Sequence, residues 1–356
     1  MKSLHDQQEM SPDKLNDAPA GLLPTRAWRI LQLLLWLVGV GIVSCLLFLP
    51  ELGINLFWDL LIPVAPLVVV LVPGIWRNIC PLATTALAPR HFGKSAKRKL
   101  SAQTQGRLFL VAVIALWLIV PLRHLSLNFN GPYTAIMLLS AAAIAIVMGS
   151  LFEWRSGWCG SLCPIHPVER LYGSTPLVTV ENAHCESCEK CVSICPDSTK
   201  QMTVAITRNV ASERLAGTLM IGGFFGFLFG WNQVPDYHGV LGLNELFIAY
   251  AWPFAGGLVS LLTYLLLRRG LNKDQLQWLN RYFATAAVAC YYWYRIPALL
   301  GVGLYPGDGM LVDLSQTLPV WFPMASQFVS TVFLIWFMLL RPVKKQSWAI
   351  RPVYAS

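Results

Sequence analysis

Four cysteines follow one another at short intervals near the middle of this 356-residue sequence. The segment reads C-E-S-C-E-K-C-V-S-I-C-P, and its thiols are Cys185, Cys188, Cys191 and Cys195, called here the main run. Thiolates at this spacing reach the corners of one iron–sulfur cubane. A proline directly after the last cysteine is also typical of this pattern. Structural zinc sites more often pair two short cysteine steps across a longer loop. The main run therefore predicts a [4Fe–4S] site.

A shorter cysteine pattern occurs twice upstream, each time directly before a proline. Cys159 and Cys163 form a C-x3-C-P motif, which repeats the last part of the main run. Cys80 ends a motif of the same shape, but Trp76 stands where the first cysteine would be. These three cysteines are candidates for a fourth ligand of the main cluster or for a second cluster.

Two ligand assignments remain open for these thiols. In the simpler one, the main run holds a single cluster, and Cys159 and Cys163 are structural or form a redox disulfide. In two-cluster ferredoxins the cysteine before the proline ligates the other cluster. A crossed assignment would accordingly use Cys163 as fourth ligand of the first three cysteines of the main run. Cys195 would then join Cys80 and Cys159, with His166 or a non-protein ligand completing that second site.

The composition predicts the environment of these cysteines. Hydrophobic residues make up 55% of the chain and charged residues only 13%, whereas soluble domains carry about 25% charged residues. The chain is therefore expected to be a membrane protein, and its net charge of +9 is typical of loops at a cytoplasmic face rather than of nucleic-acid binding. The chain has nine cysteines, and seven of them belong to the motifs above, which favours metal thiolates in a reducing compartment over a disulfide framework.

Eight hydrophobic segments approach the roughly 20 residues needed to cross a bilayer. They predict an all-α integral membrane protein with eight transmembrane helices and a small cytoplasmic insert that carries the main run. Asp59 and Arg295 are ionisable residues inside two of these segments, and they could pair with each other. The eight segments are residues 30–49, 53–73, 108–122, 125–152, 215–234, 246–267, 282–305 and 314–340.

The same pattern divides the chain into regions and orients them. If both termini are cytoplasmic, nearly all of the 27 Lys and Arg residues lie on the inner side. We therefore expect a multi-pass protein of the inner, cytoplasmic membrane, with the cysteines at its cytoplasmic face. The expected regions are a polar tail (1–26), a four-helix membrane core with Cys80 (27–152), an iron–sulfur segment (153–213), four further transmembrane helices (214–340) and a cytoplasmic tail (341–356).

The combination of the main run with two Cys-Pro sites at the membrane edge resembles the polytopic membrane iron–sulfur proteins of the NapH and NosR type. The likeness covers about residues 30–210. It implies a four-helix membrane core and a cytoplasmic ferredoxin-like segment. It also implies electron transfer between a cytosolic or membrane redox protein and the quinone pool or another membrane subunit. Trp76, the single ferredoxin-type run and the four additional spans depart from the family pattern.

Candidate sites for other cofactors are fewer. Tyr291 and Tyr294 beside Arg295 could bind a quinone, although an interfacial aromatic belt would explain the tyrosines equally well. No histidine lies in the middle of a hydrophobic segment and no C-x-x-C-H motif occurs, so haem is not expected.

The sequence thus favours electron transfer through one or two [4Fe–4S] clusters, as a component of an oxidoreductase system without catalytic side chains of its own. Two alternatives remain open. One is a redox-sensing or assembly factor for another metalloenzyme. The other is a thiol–disulfide relay through Cys159 and Cys163.

Overall fold

The computed structural model describes residues 25–98, 100–152, 157–173, 176–178, 180–181, 183, 210–238, 242–341 and 349–350. Helices dominate these residues. The four cysteines of the main run and both ends of the chain lie outside the described residues. The expected ferredoxin-like insert therefore stays a prediction.

Seven helices are long and apolar enough to cross a membrane, which is the architecture of a multi-pass membrane protein. Four of them contain π-helical turns, and shorter helices connect them at one end. The seven are α1 (Thr25–Phe48), α2 (Pro50–Leu71), α5 (Ala102–Leu127), α6 (Gly131–Leu151), α8 (Ala211–Trp231), α9 (Leu243–Leu267) and α11 (Phe322–Leu340). The other helices are α3 (Pro73–Ile79), α4 (Pro81–His91), α7 (His166–Tyr172) and α10 (Lys273–Leu299).

The eighth expected span, 282–305, falls on α10, a helix of 27 residues. This helix is long enough to cross a membrane, but it is not among the seven because its first turns are rich in polar residues. It begins with a capping box, in which Asn272 accepts a hydrogen bond from the Gln275 backbone N–H at 2.9 Å. The structure therefore confirms a helix at this position, but it does not confirm the count of eight spans.

Two other expected boundaries are wrong. The fourth span was expected to start at residue 125, yet α6 begins at Gly131 because Asn130 caps it and accepts a hydrogen bond from the Tyr133 N–H at 3.0 Å. The last span was expected to start at 314, whereas α11 begins at Phe322. Residues 300–321 instead form successive turns, with Gly301, Gly307 and Gly309 at positive φ.

A small exception to the all-α prediction joins distant parts of the chain. β1 (Val180–Glu181) pairs in parallel with β2 (Ala349–Ile350). This pairing places the C-terminal segment beside the residues that follow α7.

Close helix crossings hold the bundle together in both halves. A side chain at Gly149 on α6 would collide with the Ala86 carbonyl oxygen on α4, and one at Gly226 on α8 with the Gly256 carbonyl oxygen on α9. Small residues at such crossings let backbones approach, which is the ordinary means of helix association in membranes. The largest buried cluster then joins both halves, because it includes Phe109 of α5 as well as side chains of α7, α8, α10 and α11.

The connectivity defines two ends of the bundle. Cys80, Cys159 and Cys163 lie at one, the cysteine end, where α2 and α6 finish. His124 and Asp236 lie at the other, the opposite end, where α5 and α8 finish.

Candidate functional site

Cys80 and Cys163 occupy equivalent backbone positions. Cys80 joins α3 to α4 with φ −58° and ψ 121°, and Cys163 leads toward α7 with φ −66° and ψ 122°. In both places a proline follows, and proline disfavours the helical conformation at the residue before it. The Cys-Pro motif thereby breaks the helix at the thiol and starts a new one just after it.

The three cysteines of the shorter motifs share one buried cluster at the cysteine end. Cys159 and Cys163 are buried, and Cys80 packs against the same group. Cys159 reaches this position in a π-helical turn, Trp158–Leu162, and no disulfide joins it to Cys163 in the described part of the chain. The other members are apolar side chains of α4 and α6 together with Trp158: Ala83, Ala86, Leu87, Ala145 and Met148.

The surroundings disfavour thiolates at this cluster. Burial raises the pKa of the Cys80 thiol to about 11, although hydrogen bonds from the Ala83 and Leu82 N–H groups act in the other direction. Burial, with the neighbouring Cys159 and Glu169, raises the pKa of Cys163 well above its usual value. A bound metal cation would reverse this preference for the protonated thiol, because metal coordination deprotonates a thiol outright.

Charged side chains lie directly behind the thiols. Arg77 of α3 pairs with Glu169 of α7 at 2.9 Å and donates to the Cys159 carbonyl oxygen at 3.3 Å. His166, fully buried, places Nδ1 3.6 Å from Glu169 Oε2. These contacts tie the segments of Cys80, Cys159 and Cys163 to one another, because Arg77 precedes Cys80 and Glu169 follows Cys163.

The donor set fits a thiolate-bound metal in part. Three thiols share one cluster, and backbone N–H groups of Leu82, Ala83 and Ile165 point to the sulfurs of Cys80 and Cys163. Hydrogen bonds of this kind are among the factors that set the potential of thiolate-bound iron. Within the described residues, however, no three ligating side chains are already arranged to hold a metal ion. Any complete site would need a donor from outside those residues.

The residues expected to bind a quinone are divided between different surroundings. Arg295 pairs with Asp59 at 2.6 Å and donates to the Trp58 carbonyl oxygen at 2.7 Å, so the anticipated Asp59–Arg295 pair is confirmed. Tyr294 accepts a hydrogen bond from Gln233 at 3.1 Å. The Tyr291 hydroxyl has no hydrogen-bond partner among the described residues. The three therefore do not form a single pocket.

Tyr291 lines an apolar cavity of about 170 Å³ between the two halves of the bundle. The cavity extends from Arg123 and Trp231 near the opposite end to Val168 and Tyr172 of α7, the helix that follows Cys163. Its remaining wall is mostly aliphatic and comes from α2, α5, α8 and α10. An engineered cavity of about 150 Å³ holds benzene, so this one has room for a single ring.

A second cavity, of about 60 Å³, is polar and lies at the opposite end. It is lined by Tyr294, Arg295 and a group of residues that the motif analysis did not single out: Arg123, His124, Asn128, Asp236 and Asp308. Sequence offered a weak signal for them, since each lies at or beyond the end of a hydrophobic segment.

These features define a helical, multi-pass membrane protein with a buried cysteine cluster at one end. The chain is similar to the methylamine utilization ferredoxin-type protein MauN of Methylobacillus flagellatus, with 31% identity over 108 residues. The match covers 26% of this chain and 38% of that protein. No family model matches the chain, and no solved structure does. A ferredoxin-type relative supports electron transfer as a coarse description of function.

Proposed function

We propose that this chain is a membrane electron-transfer protein that holds a [4Fe–4S] cluster on Cys185, Cys188, Cys191 and Cys195. The observation that carries the proposal is the spacing of these four thiols before a proline. The similarity to a protein described as ferredoxin-type supports it. When bound, such a cluster accepts and returns one electron at a time, at a potential set by burial and hydrogen bonds.

The cysteine end supplies further ligands in this proposal. In the crossed form of this assignment, Cys163 takes the place of Cys195 as the fourth ligand of the main cluster, and Cys195 instead faces Cys80 and Cys159 at a second site. Two observations support it: Cys80 and Cys163 have the same backbone conformation before proline, and all three thiols share one buried cluster. The ion pair between Arg77 and Glu169 links the segments that carry these thiols.

The proposed topology has eight crossings, with both termini and all cysteine motifs on the cytoplasmic side of the inner membrane. The contacts of α10 support its role as the additional crossing. Near its start, Arg281 donates to the Met338 carbonyl oxygen at 2.7 Å, and near its end Arg295 pairs with Asp59. Met338 belongs to the last turn of α11 and Asp59 to the first half of α2, so α10 runs the length of the bundle.

The proposed partners are the quinone pool and a redox protein that docks at the cysteine end. The apolar cavity supports the first of these, because it joins Tyr291 to the helix that follows Cys163. An isoprenoid quinone needs an apolar site with few polar groups near its head. Tyr291 and Arg123 line that cavity, and the polar atoms of Tyr172 and Trp231 are already bonded to backbone carbonyl oxygens. Tyr294 and Arg295 would act from the neighbouring polar cavity.

The test is anaerobic purification of the full chain with iron and sulfide analysis and EPR of the reduced protein. We expect Cys188→Ser to lose the main cluster signal, because an alcohol is a poor ligand for iron in place of a soft thiolate. Cys45→Ser is the matched control, since Cys45 lies in α1 far from the motifs, and it should keep wild-type iron and signal. A Cys188→Ser protein with full iron, sulfide and EPR amplitude would refute the assignment.

A further inference from the structure

The polar residues at the opposite end form one continuous hydrogen-bonded group. The Asn128 amide nitrogen donates to the Asp236 carboxylate and lies 2.8 and 2.9 Å from its two oxygens, and His124 Nδ1 lies 2.6 Å from Asp236 Oδ1. Asn128 in turn accepts a hydrogen bond from Arg123 Nε at 2.9 Å. Ionisable residues within membrane spans, such as Arg123 and His124 at the end of α5, commonly mark ion or proton pathways.

The contacts of His124 fix where its protons are. Its Nε2 lies 3.0 Å from the Trp231 carbonyl oxygen, which can only accept, so Nε2 carries a hydrogen. The contact between Nδ1 and the Asp236 carboxylate then contains one further proton, on either atom. The imidazole and the carboxylate therefore share one proton across this short contact.

One side of the pair leads to water. The Asp236 backbone N–H donates to Asp308 Oδ2 at 2.8 Å, and His238 Nε2 lies 3.2 Å from Asp308 Oδ1. The His238 side chain is 66% exposed and that of Asp308 is 18% exposed. Asp308 and His238 thus lie between the His124–Asp236 pair and the surface, and each can accept a proton that leaves the pair.

The other side of the pair leads toward the apolar cavity. The 60 Å³ polar cavity is lined by both members of the pair, and it has room for a few water molecules with several polar partners. Arg123 and Trp231 line both cavities, so the two are adjacent. Tyr291, only 9% exposed, lines the apolar cavity, and its hydroxyl has no hydrogen-bond partner among the described residues.

The charged side chains of this region have partners within the protein. Arg295 is paired with Asp59, and the Arg123 guanidinium lies 4.1 Å from the centre of the Trp58 ring, connected through Asn128 to Asp236. Asp308 adds a third carboxylate to these two guanidinium groups.

We propose that Tyr291, the waters of the polar cavity, the His124–Asp236 pair and Asp308 form a proton route from the apolar cavity to the opposite end. This rests on the proposed function, in which a quinol occupies the apolar cavity. Oxidation of one quinol releases two protons and two electrons. The electrons pass one at a time to the iron–sulfur centre, and the first is handed on to the docked redox protein before the second arrives. The electrons leave toward the cysteine end, and the protons leave by this route.

The experiment uses the full-length holoprotein and the short-chain quinol duroquinol, with reduction of the cluster followed by stopped-flow absorbance. Asp236→Asn cannot hold the shared proton, and we expect it to slow reduction by about 100-fold, the lower end of the effects of positioned proton-transfer groups. Its solvent deuterium isotope effect should exceed that of the wild type. Reduction by dithionite and iron content should be unchanged, because neither requires proton release in the cavity.

Two further variants separate a route from a structural role. Asp236→Glu keeps a titratable carboxyl and should restore part of the rate, and Asp308→Asn should slow reduction without disturbing the buried pair. Asp313→Asn is the matched control, because Asp313 is an exposed carboxylate in the same 300–321 segment and bonds only Ser315 among the described residues.

The outcomes distinguish the two proposals. Reduction of Asp236→Asn by duroquinol at the wild-type rate and isotope effect would overturn the route and leave the quinol donor in place. A wild-type cluster that dithionite reduces and duroquinol does not would overturn the route together with the quinol donor. Protein without a cluster signal would refute the proposed function itself.

Discussion

The cysteine end of the bundle buries its thiols among alanine, leucine and tryptophan, whereas the opposite end buries its carboxylates against other polar side chains. Around Cys159 and Cys163 the neighbours are apolar, and burial raises the pKa of Cys163. Around Asp236 burial also acts to raise the pKa, but hydrogen bonds from His124 and Asn128 outweigh it and the pKa is lowered.

The difference shows which kind of charge each end can stabilise. Thiols in an apolar cluster become thiolates when a metal supplies positive charge. Carboxylates that already have arginine, histidine and asparagine partners keep their negative charge without a metal. In the proposed function, electrons and protons would therefore leave at opposite ends, with the apolar cavity between them.

The largest expected effect comes from breaking the charge balance of the opposite end. Arg295→Gln leaves the Asp59 carboxylate buried without its partner, and the loss of one member of a buried pair costs about 3–5 kcal/mol. Thermal unfolding in detergent, followed by tryptophan fluorescence, should show this loss. The double variant Asp59→Asn/Arg295→Gln should recover much of it. If the double variant instead lost as much stability as the two single variants together, the two charges would not stabilise each other.

A smaller effect is expected from a change confined to the cysteine end. Gly149→Ala on α6 places a methyl group against the Ala86 carbonyl oxygen on α4, and overpacking of this kind costs about 1–3 kcal/mol. Since α4 begins directly after Cys80, the variant should also lower the yield of any metal bound there. Gly41→Ala is the control, because nothing lies within 4 Å of a side chain at that position. Equal unfolding temperatures for both variants would contradict the close crossing.

The smallest effect is a pH dependence with opposite signs at two neighbouring carboxyls. The pKa of Asp236 is lowered, so its contribution to stability is present above the ordinary value of 3.8 and is lost as the pH falls below it. Burial raises the pKa of Asp308, so its contribution is present at low pH and is lost as the pH rises above 3.8.

Thermal unfolding across the acidic range measures both contributions. The stability difference between wild type and Asp236→Asn should narrow toward low pH, and that between wild type and Asp308→Asn should narrow toward neutral pH. Parallel curves for the two variants would show that the network does not set these pKa values.

Much of the cysteine end could be predicted from the sequence. Successive hydrophobic segments cross the membrane in alternating directions, which places Cys80, Cys159 and Cys163 at the same end of the bundle. The structure brings them into one cluster there. The residue before a proline avoids helical geometry, which is a local rule and needs no knowledge of neighbouring helices. The main run lies outside the described residues, so its role as a cluster site stays a prediction from spacing.

The opposite end was decided by tertiary structure. His124 and Asp236 are 112 positions apart, and Asp236 and Asp308 are 72 apart, so no local pattern connects them. Only the packing of α5, α8 and α10 brings these positions together. Sequence identified Asp59 and Arg295 as unusual because ionisable residues inside apolar segments stand out, and it could only suggest that they pair. Charged residues just beyond a helix end are common in membrane proteins, so composition alone could not distinguish this network from an ordinary interface.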